Sequence, residues 1–251
     1  MRAVLLMIAI FATTAAEPDV RILRLITADV QAVSGSNDAR FRGTRLAGHL
    51  KLNEASAEDL RTIYGVLLTF SGNRELSVTV GDTKPRVGPS HGSPEAGIVF
   101  EGPPELVKAS LSRWRSAGGD LMPLAVKAQD LWRAYDTWIV AVDPLRTEEM
   151  REALSVVPGL GRFQESVQEF SAGIRYGSVH QVHAWARFSR GDDAWAAASV
   201  ISLVPSIGSR GASGGFAEIC EAIEDLQTRR TGNSLEITFS LRDDKFNSSR
   251  E

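Results

Sequence analysis

The 251-residue chain offers four histidines and one cysteine for metal, acid–base or nucleophilic chemistry. His180 and His183 stand three apart in a run where Val182, Ala184, Ala186 and Phe188 alternate with Gln181, His183, Trp185 and Arg187. A strand turns successive side chains to opposite faces, so this odd step separates the two imidazoles and they share no metal. His49 and His91 lie in unrelated segments, and no His-Glu-x-x-His pattern occurs. The chain has no Gly-x-Ser-x-Gly elbow after a strand, and no phosphate loop ending in a Lys-Ser/Thr pair. Paired carboxylates at Glu148-Glu149, Asp192-Asp193 and Asp243-Asp244 fall near helix starts or in the tail, where the helix dipole or water accounts for them. Cys220, on the edge of an amphipathic stripe of Ile219, Ile223 and Leu226 and at helical spacing from Phe216 and Ile223, reads as a buried structural thiol. The expectation is therefore no catalytic residue, no metal ligand and no cofactor.

One constellation remains. Trp114, Trp132, Trp138 and Trp195 have neighbours that predict core burial. Trp185 differs, because Gln181, His183, Trp185 and Arg187 occupy one face of their strand. If that face is open, it is a mixed aromatic and polar patch suited to a protein or small-molecule partner.

The elements that must position this patch are legible as patterns. Leu235, Ile237, Phe239 and Leu241 alternate with Glu236, Thr238, Ser240 and Arg242, and Leu76, Val78 and Val80 alternate with Ser77 and Thr79. Such alternation belongs to antiparallel sheet with one packed face, whereas buried parallel strands read as continuous apolar runs. Two hairpins are predicted: Val66–Phe70 with Glu75–Val80, after a short helix from Ser56, and Ile174–Tyr176 with Val179–Phe188. Further strands are expected over 22–33, 97–100 and 137–142. Helices are expected over 106–117, from 120 or 123 to 135, after the Thr147 cap, through Phe163, Val167 and Phe170, over 194–204, and over 215–229. The segments 81–96 and 205–215, rich in Gly, Pro and Ser, read as exposed connections. The fold class is α+β: mainly antiparallel sheet with helices on one side, in two related β(α)ββ(α)β halves, residues 17–136 and 137–251, the first shortened at 81–95.

Charge and composition narrow the function. With 28 Lys+Arg against 31 Asp+Glu the chain has no basic excess to neutralise a phosphate backbone, which argues against general nucleic-acid binding. Met1-Arg2, the apolar run Ala3–Ala12 and the small residues Thr13–Ala16 have the order of a signal peptide over 1–16, and no later stretch is apolar enough to span a bilayer. The mature protein is expected in a periplasm or outside the cell.

Residues 96–110 (AGIVFEGPPELVKAS), the segment 133–141 (RAYDTWIVA) and the closing strand 234–241 (SLEITFSL) resemble exported bacterial proteins of unknown function. In those proteins a strand, a glycine turn and a helix precede a Tyr-Asp-x-Trp strand. The resemblance spans about residues 60–242. It implies a duplicated strand, hairpin and helix architecture, and it carries no activity and no functional residue. The reading that results is an exported, non-catalytic protein that works by binding or assembly. Its rival is an extracytoplasmic hydrolase or ligand-processing enzyme whose site assembles from separated residues.

Overall fold

The structure is a computed structural model and describes residues 18–49, 62–72, 74–81, 85, 87–116, 119–142, 159, 161–208 and 215–246. The expected leader at 1–16, the helix from Ser56 and the segment after Thr147 lie outside the described residues.

Ten strands make one sheet: β1 (Val30–Ser36), β2 (Thr62–Phe70), β3 (Arg74–Gly81), β4 (His91–Gly92), β5 (Ile98–Glu101), β6 (Thr137–Val142), β7 (Val167–Arg175), β8 (Val179–Phe188), β9 (Ile223–Thr231) and β10 (Ser234–Arg242). Their order is β4-β5-β3-β2-β1-β6-β7-β8-β10-β9, with every pairing antiparallel. The α+β class and the antiparallel sheet expected from alternation are what the chain forms. Read outward from the central β1/β6 pair, both flanks follow one plan: three strands in succession, then the fifth strand of the half, then the fourth at the edge. In the first half no helix lies between the third and fourth strands among the described residues. In the second they are joined by helices α6 (Gly191–Ile201), α7 (Val204–Gly208) and α8 (Gly215–Ala222).

Register assigns every side chain to a face. Val33, Leu68, Leu76, Val78, Phe100, Trp138 and Val140 share what is called here the front face. They are buried beneath α4 (Pro104–Arg115) and α5 (Pro123–Ala134) together with Leu106, Val107, Leu124, Ala125, Ala128 and Trp132. Each helix begins on a proline, which costs nothing where an N–H has no intrahelical partner. A short helix, α1 (Val20–Leu23), adds Ile22 and Leu23 to the same core.

In the second half the apolar register changes side. Ala186, Phe188 and Leu235 face the back, where Ala194 and Ala197 of α6 and Phe163 cover them. Leu241, Val182 and Phe239 meet Ala222 and Ile219 of α8, Phe246, and Phe41 and Leu46 from α2 (Asp38–Arg42) and α3 (Arg45–His49). Helices α1, α4 and α5 thus cover the front of the first half, while α6 and α8, with α2 and α3 from the first half, cover the back of the second.

Five expectations need correction. The first strand begins at Val30, not Ile22, because Val20–Leu23 is helical with Asp19 accepting from the Arg21 N–H at its start. The helix expected through Phe163, Val167 and Phe170 is a single 3-10 turn, Gly161–Ser166, followed by β7. The last helix ends at Ala222 rather than Arg229, and Ile223–Thr231 pairs with β10 across a turn where Gly232 takes a positive φ of 61°. The segment expected as a loop over 205–215 contains α7. Trp195 is also not in the core: it is 60% exposed, because α6 turns Ala194 and Ala197 inward and leaves residue 195 on the outer surface. Among the described residues no helix is long and apolar enough to cross a membrane.

Candidate functional site

Beyond Trp138 and Val140 the front face continues onto β7, β8, β10 and β9 without an overlying helix among the described residues. Its floor is polar. Gly173, Ser171 and Glu169 pair with His183, Trp185 and Arg187, and Arg175 pairs with Gln181. Those residues in turn face Thr238, Glu236, Ser234 and Ser240. The four residues singled out by alternation, Gln181, His183, Trp185 and Arg187, therefore do share one face. Gln181 and Arg187 are exposed, and His183 and Trp185 partly so. His180 is on the back face as its odd spacing requires, fully buried. Its Nε2–H donates to Asp243 Oδ1 at 2.9 Å, while Nδ1 accepts from the Gly177 N–H at 3.3 Å. Asp243 also accepts from the Arg45 and Leu46 N–H groups, so this histidine ties β8 to α3 and has a structural role.

Helix α5 walls the open face on one side. Its Lys127 ion-pairs with Glu169, a carboxylate only 6% exposed, and lies over the Trp185 ring at 5.9 Å from the centroid. Arg187 Nη2 reaches the same Glu169 at 3.3 Å. A buried carboxylate with two cations beside it is compensated, and one of them, Lys127, also lies over the indole.

At the other end of the wall, α5 ends where Tyr135 turns extended. Its ring lies flat on Gly173: a methyl group there would stand 2.2 Å from the ring. The Tyr135 hydroxyl meets His183 Nδ1 at 2.7 Å, and His183 Nε2 meets Glu236 Oε1 at 3.0 Å. Burial pushes the Tyr135 phenol above its ordinary value; Arg175 opposes that shift and Glu236 adds to it. A neutral imidazole satisfies both contacts by donating Nε2–H to Glu236 and accepting the phenolic proton on Nδ1. Both ring nitrogens are then occupied. His183 is held in one orientation with no nitrogen free to ligate a metal or remove a proton from a ligand.

The next residue, Asp136, fixes this corner from below. It is 4% exposed, accepts from Arg40 Nη1 at 2.6 Å and from the Tyr176 N–H at 2.8 Å, and so ties β6 to α2 and to the β7–β8 turn. Trp138 completes the Tyr-Asp-x-Trp segment by donating Nε1–H to the Tyr64 hydroxyl at 2.6 Å.

Sequence reasoning missed Tyr135, Lys127, Glu169 and Glu236. Glu236 carried a signal, since it lies on the polar side of the final strand's alternation. Tyr135 and Lys127 carried none, because only the approach of α5 to β7 brings them to the sheet. The remaining titratable features lie elsewhere. Cys220 is 2% exposed and its thiol is pushed up by burial first and by Glu221 second, so it is a poor nucleophile. His91 contacts Glu101 at 3.4 Å near the far sheet edge. No family model matches the chain, and no curated protein and no solved structure matches it.

Proposed function

We propose that this chain is an exported, non-catalytic binding protein that docks a protein partner on the front face of its second half. One observation carries the reading: an antiparallel sheet whose front face is apolar and helix-covered over five strands presents, over the next four, a polar face centred on Trp185. Tryptophan and arginine at the centre of a flat, mixed-charge surface are the side chains that carry most of the energy of protein interfaces. Lys127 and Arg187 are balanced by Glu169 and by Glu236 on the same face, so the platform offers hydrogen bonds and an aromatic surface without a single-sign field. Support for export comes from the basic, apolar and small-residue order of residues 1–16.

A second reading has one observation in its favour. The Tyr135–His183–Glu236 chain resembles a proton relay, whose outlet would be the Tyr135 hydroxyl. That outlet is a phenol whose proton is held more tightly than usual, which opposes acid–base work near neutrality. Binding is therefore preferred.

The test is cross-linked affinity purification of the tagged full chain from the cells that make it. Trp185→Ala is compared with Trp195→Ala, which removes the indole exposed on the opposite face. A component recovered with the wild type and with Trp195→Ala, and reduced at least about ten-fold with Trp185→Ala, is the expected result. The recovered protein should begin near Glu17. Identical recovery with all three proteins overturns the binding face, and an intact Met1 overturns export.

A further inference from the structure

We infer that the cleft between the α1–β1 turn and the α4–α5 connection is a binding site for an organic oxyanion, a carboxylate or phosphate monoester bearing an apolar substituent. The cleft has a volume of about 310 Å³ and is lined by Arg24, Ile26, Thr27 and Ala28 on one side and by Arg113, Ser116 and residues 119–122 on the other. That is about ten waters' worth of space and falls at the small end of natural ligand sites. It lies under the first half, away from Trp185, and does not depend on the binding face proposed above.

Two guanidinium groups without a side-chain partner among the described residues point to an anion. Among the described residues the Arg24 side chain makes no ion pair or hydrogen bond, and its Nε is shut from solvent with nothing to donate to. Arg113 likewise has no side-chain partner, although it stands in the last turn of α4. The contrast with Arg21, one helical turn before Arg24, is instructive. Arg21 is held by Asp19 at 2.8 Å and by Glu95 at 2.9 Å, and stacks over Trp114 with 4.5 Å to the ring centroid. A fold that saturates one arginine of α1 leaves the next facing a cavity. A buried, undonated N–H carries a desolvation cost that an anion on the same guanidinium would offset. The other polar side chains of the cleft are already engaged: Thr27 with Asp29, and Ser116 donating to the Ser112 carbonyl at 2.9 Å. Asp120 is the one carboxylate in the lining. It is exposed and pairs with neither arginine, so a ligand must compete with its charge.

The apolar half of the ligand follows from the remaining walls. Ile26 is 2% exposed, Leu121 packs on the main core, and Met122 is 38% exposed beside them. Met122 also stands at the start of α5, whose first N–H groups receive no side-chain cap, so the helix dipole adds to the attraction for a negative group. Guanidinium forks bind both carboxylate and phosphate in bidentate fashion, which is why these two classes share the site.

The experiment is calorimetric titration of the full chain at low ionic strength with three probes: octanoate, phenyl phosphate and inorganic phosphate. Saturable one-to-one binding of octanoate or phenyl phosphate, at least about ten-fold tighter than inorganic phosphate, is the expected result. Whichever of the two binds more tightly assigns the headgroup. Arg113→Gln should weaken that binding at least about ten-fold, and Asp120→Asn should tighten it several-fold. The gain in Asp120→Asn is not something a misfolded variant could imitate, and it covers the case in which Arg24→Gln fails to fold. Trp185→Ala should leave the titration unchanged, which separates this site from the partner face. No saturable heat with any probe up to about 10 mM, or equal affinity in the wild type, Arg113→Gln and Asp120→Asn, overturns the assignment. Inorganic phosphate binding as tightly as the other two removes the apolar part of the inference.

Discussion

The front face of this sheet is two surfaces in one. Over β5, β3, β2, β1 and β6 it carries Phe100, Val78, Leu68, Val33 and Trp138, all at 2% exposure or less, beneath α4 and α5. Two strands further on, the same face carries Trp185, Arg187 and Gln181 with no helix above them among the described residues. Every pairing is antiparallel on both surfaces, so the direction of pairing does not distinguish them. What differs is which phase of the alternation is apolar. In β2 the front-facing residues are Tyr64, Val66, Leu68 and Phe70; in β8 the apolar set, Val182, Ala184, Ala186 and Phe188, faces the back. Shifting the apolar phase by one residue moves the hydrophobic cover to the other side of the sheet and leaves a polar platform behind.

The sharpest way to break this comparison is to truncate one tryptophan on each surface. Trp138 is 2% exposed and packed against Tyr64 and Trp132, so Trp138→Ala should cost about 3–5 kcal/mol in urea unfolding. Trp185→Ala should cost no more than about 1 kcal/mol, since its ring is partly in water and its neighbours are satisfied by one another. Equal losses would mean that the two surfaces are equally buried.

The border between them is set by Gly173, on which Tyr135 lies. Gly173→Ala drives a methyl into the ring and should cost about 1–3 kcal/mol while displacing Tyr135 from His183. Gly88→Ala, where a methyl meets nothing within 4 Å, should stay within about 0.5 kcal/mol of wild type. A neutral Gly173→Ala would show that Tyr135 does not close the border.

A smaller effect sharpens the same boundary. The Tyr135 phenol is raised from its ordinary value of 10.0, so the folded chain holds this proton to higher pH than the unfolded chain does. Its contribution is complete below the ordinary value and is lost as pH rises through the raised one. Tyr135→Phe should therefore flatten the alkaline decline of the urea midpoint above about pH 9, leaving the same-signed part due to Cys220. An unchanged decline would place Tyr135 in water.

How far the sequence revealed this arrangement depended on where the strands are regular. Over residues 181–188 of β8 and 235–242 of β10, alternation announced both the strand and its faces, and Thr137–Val142 has the predicted bounds. Three strands were misread or misplaced, and each contains an irregularity. In β7 the pairing shifts between Val167 and Glu169, so Val167 and Phe170 reach the same face three residues apart. In β9 the pairing shifts opposite Thr238 and Ser240, beside Asp225 with a positive φ of 53°, and Ile223 and Leu226 imitate a helical step. In β1 a shift between Val30 and Ala32 puts Val30 and Val33 in one core. A bulge adds one residue to a period of two, and the resulting step of three is what a helix would show. The patch itself was legible because β8 is free of such shifts. Its partners Tyr135, Lys127 and Glu169 were not, because they meet it only through the packing of α5 on β7.

The central claim is that one sheet face is closed over the first half and open over the second. Thiol labelling tests it most directly, in a Cys220→Ala background that removes the native sulfur. Cysteine is introduced singly in place of Arg187 and Val66, which share the front face, and of Ala186, which faces the back. The 187 position is expected to react at close to the rate of a free thiol, and positions 66 and 186 at least about a hundred-fold more slowly. Equal protection at 187 and 66 would contradict the account.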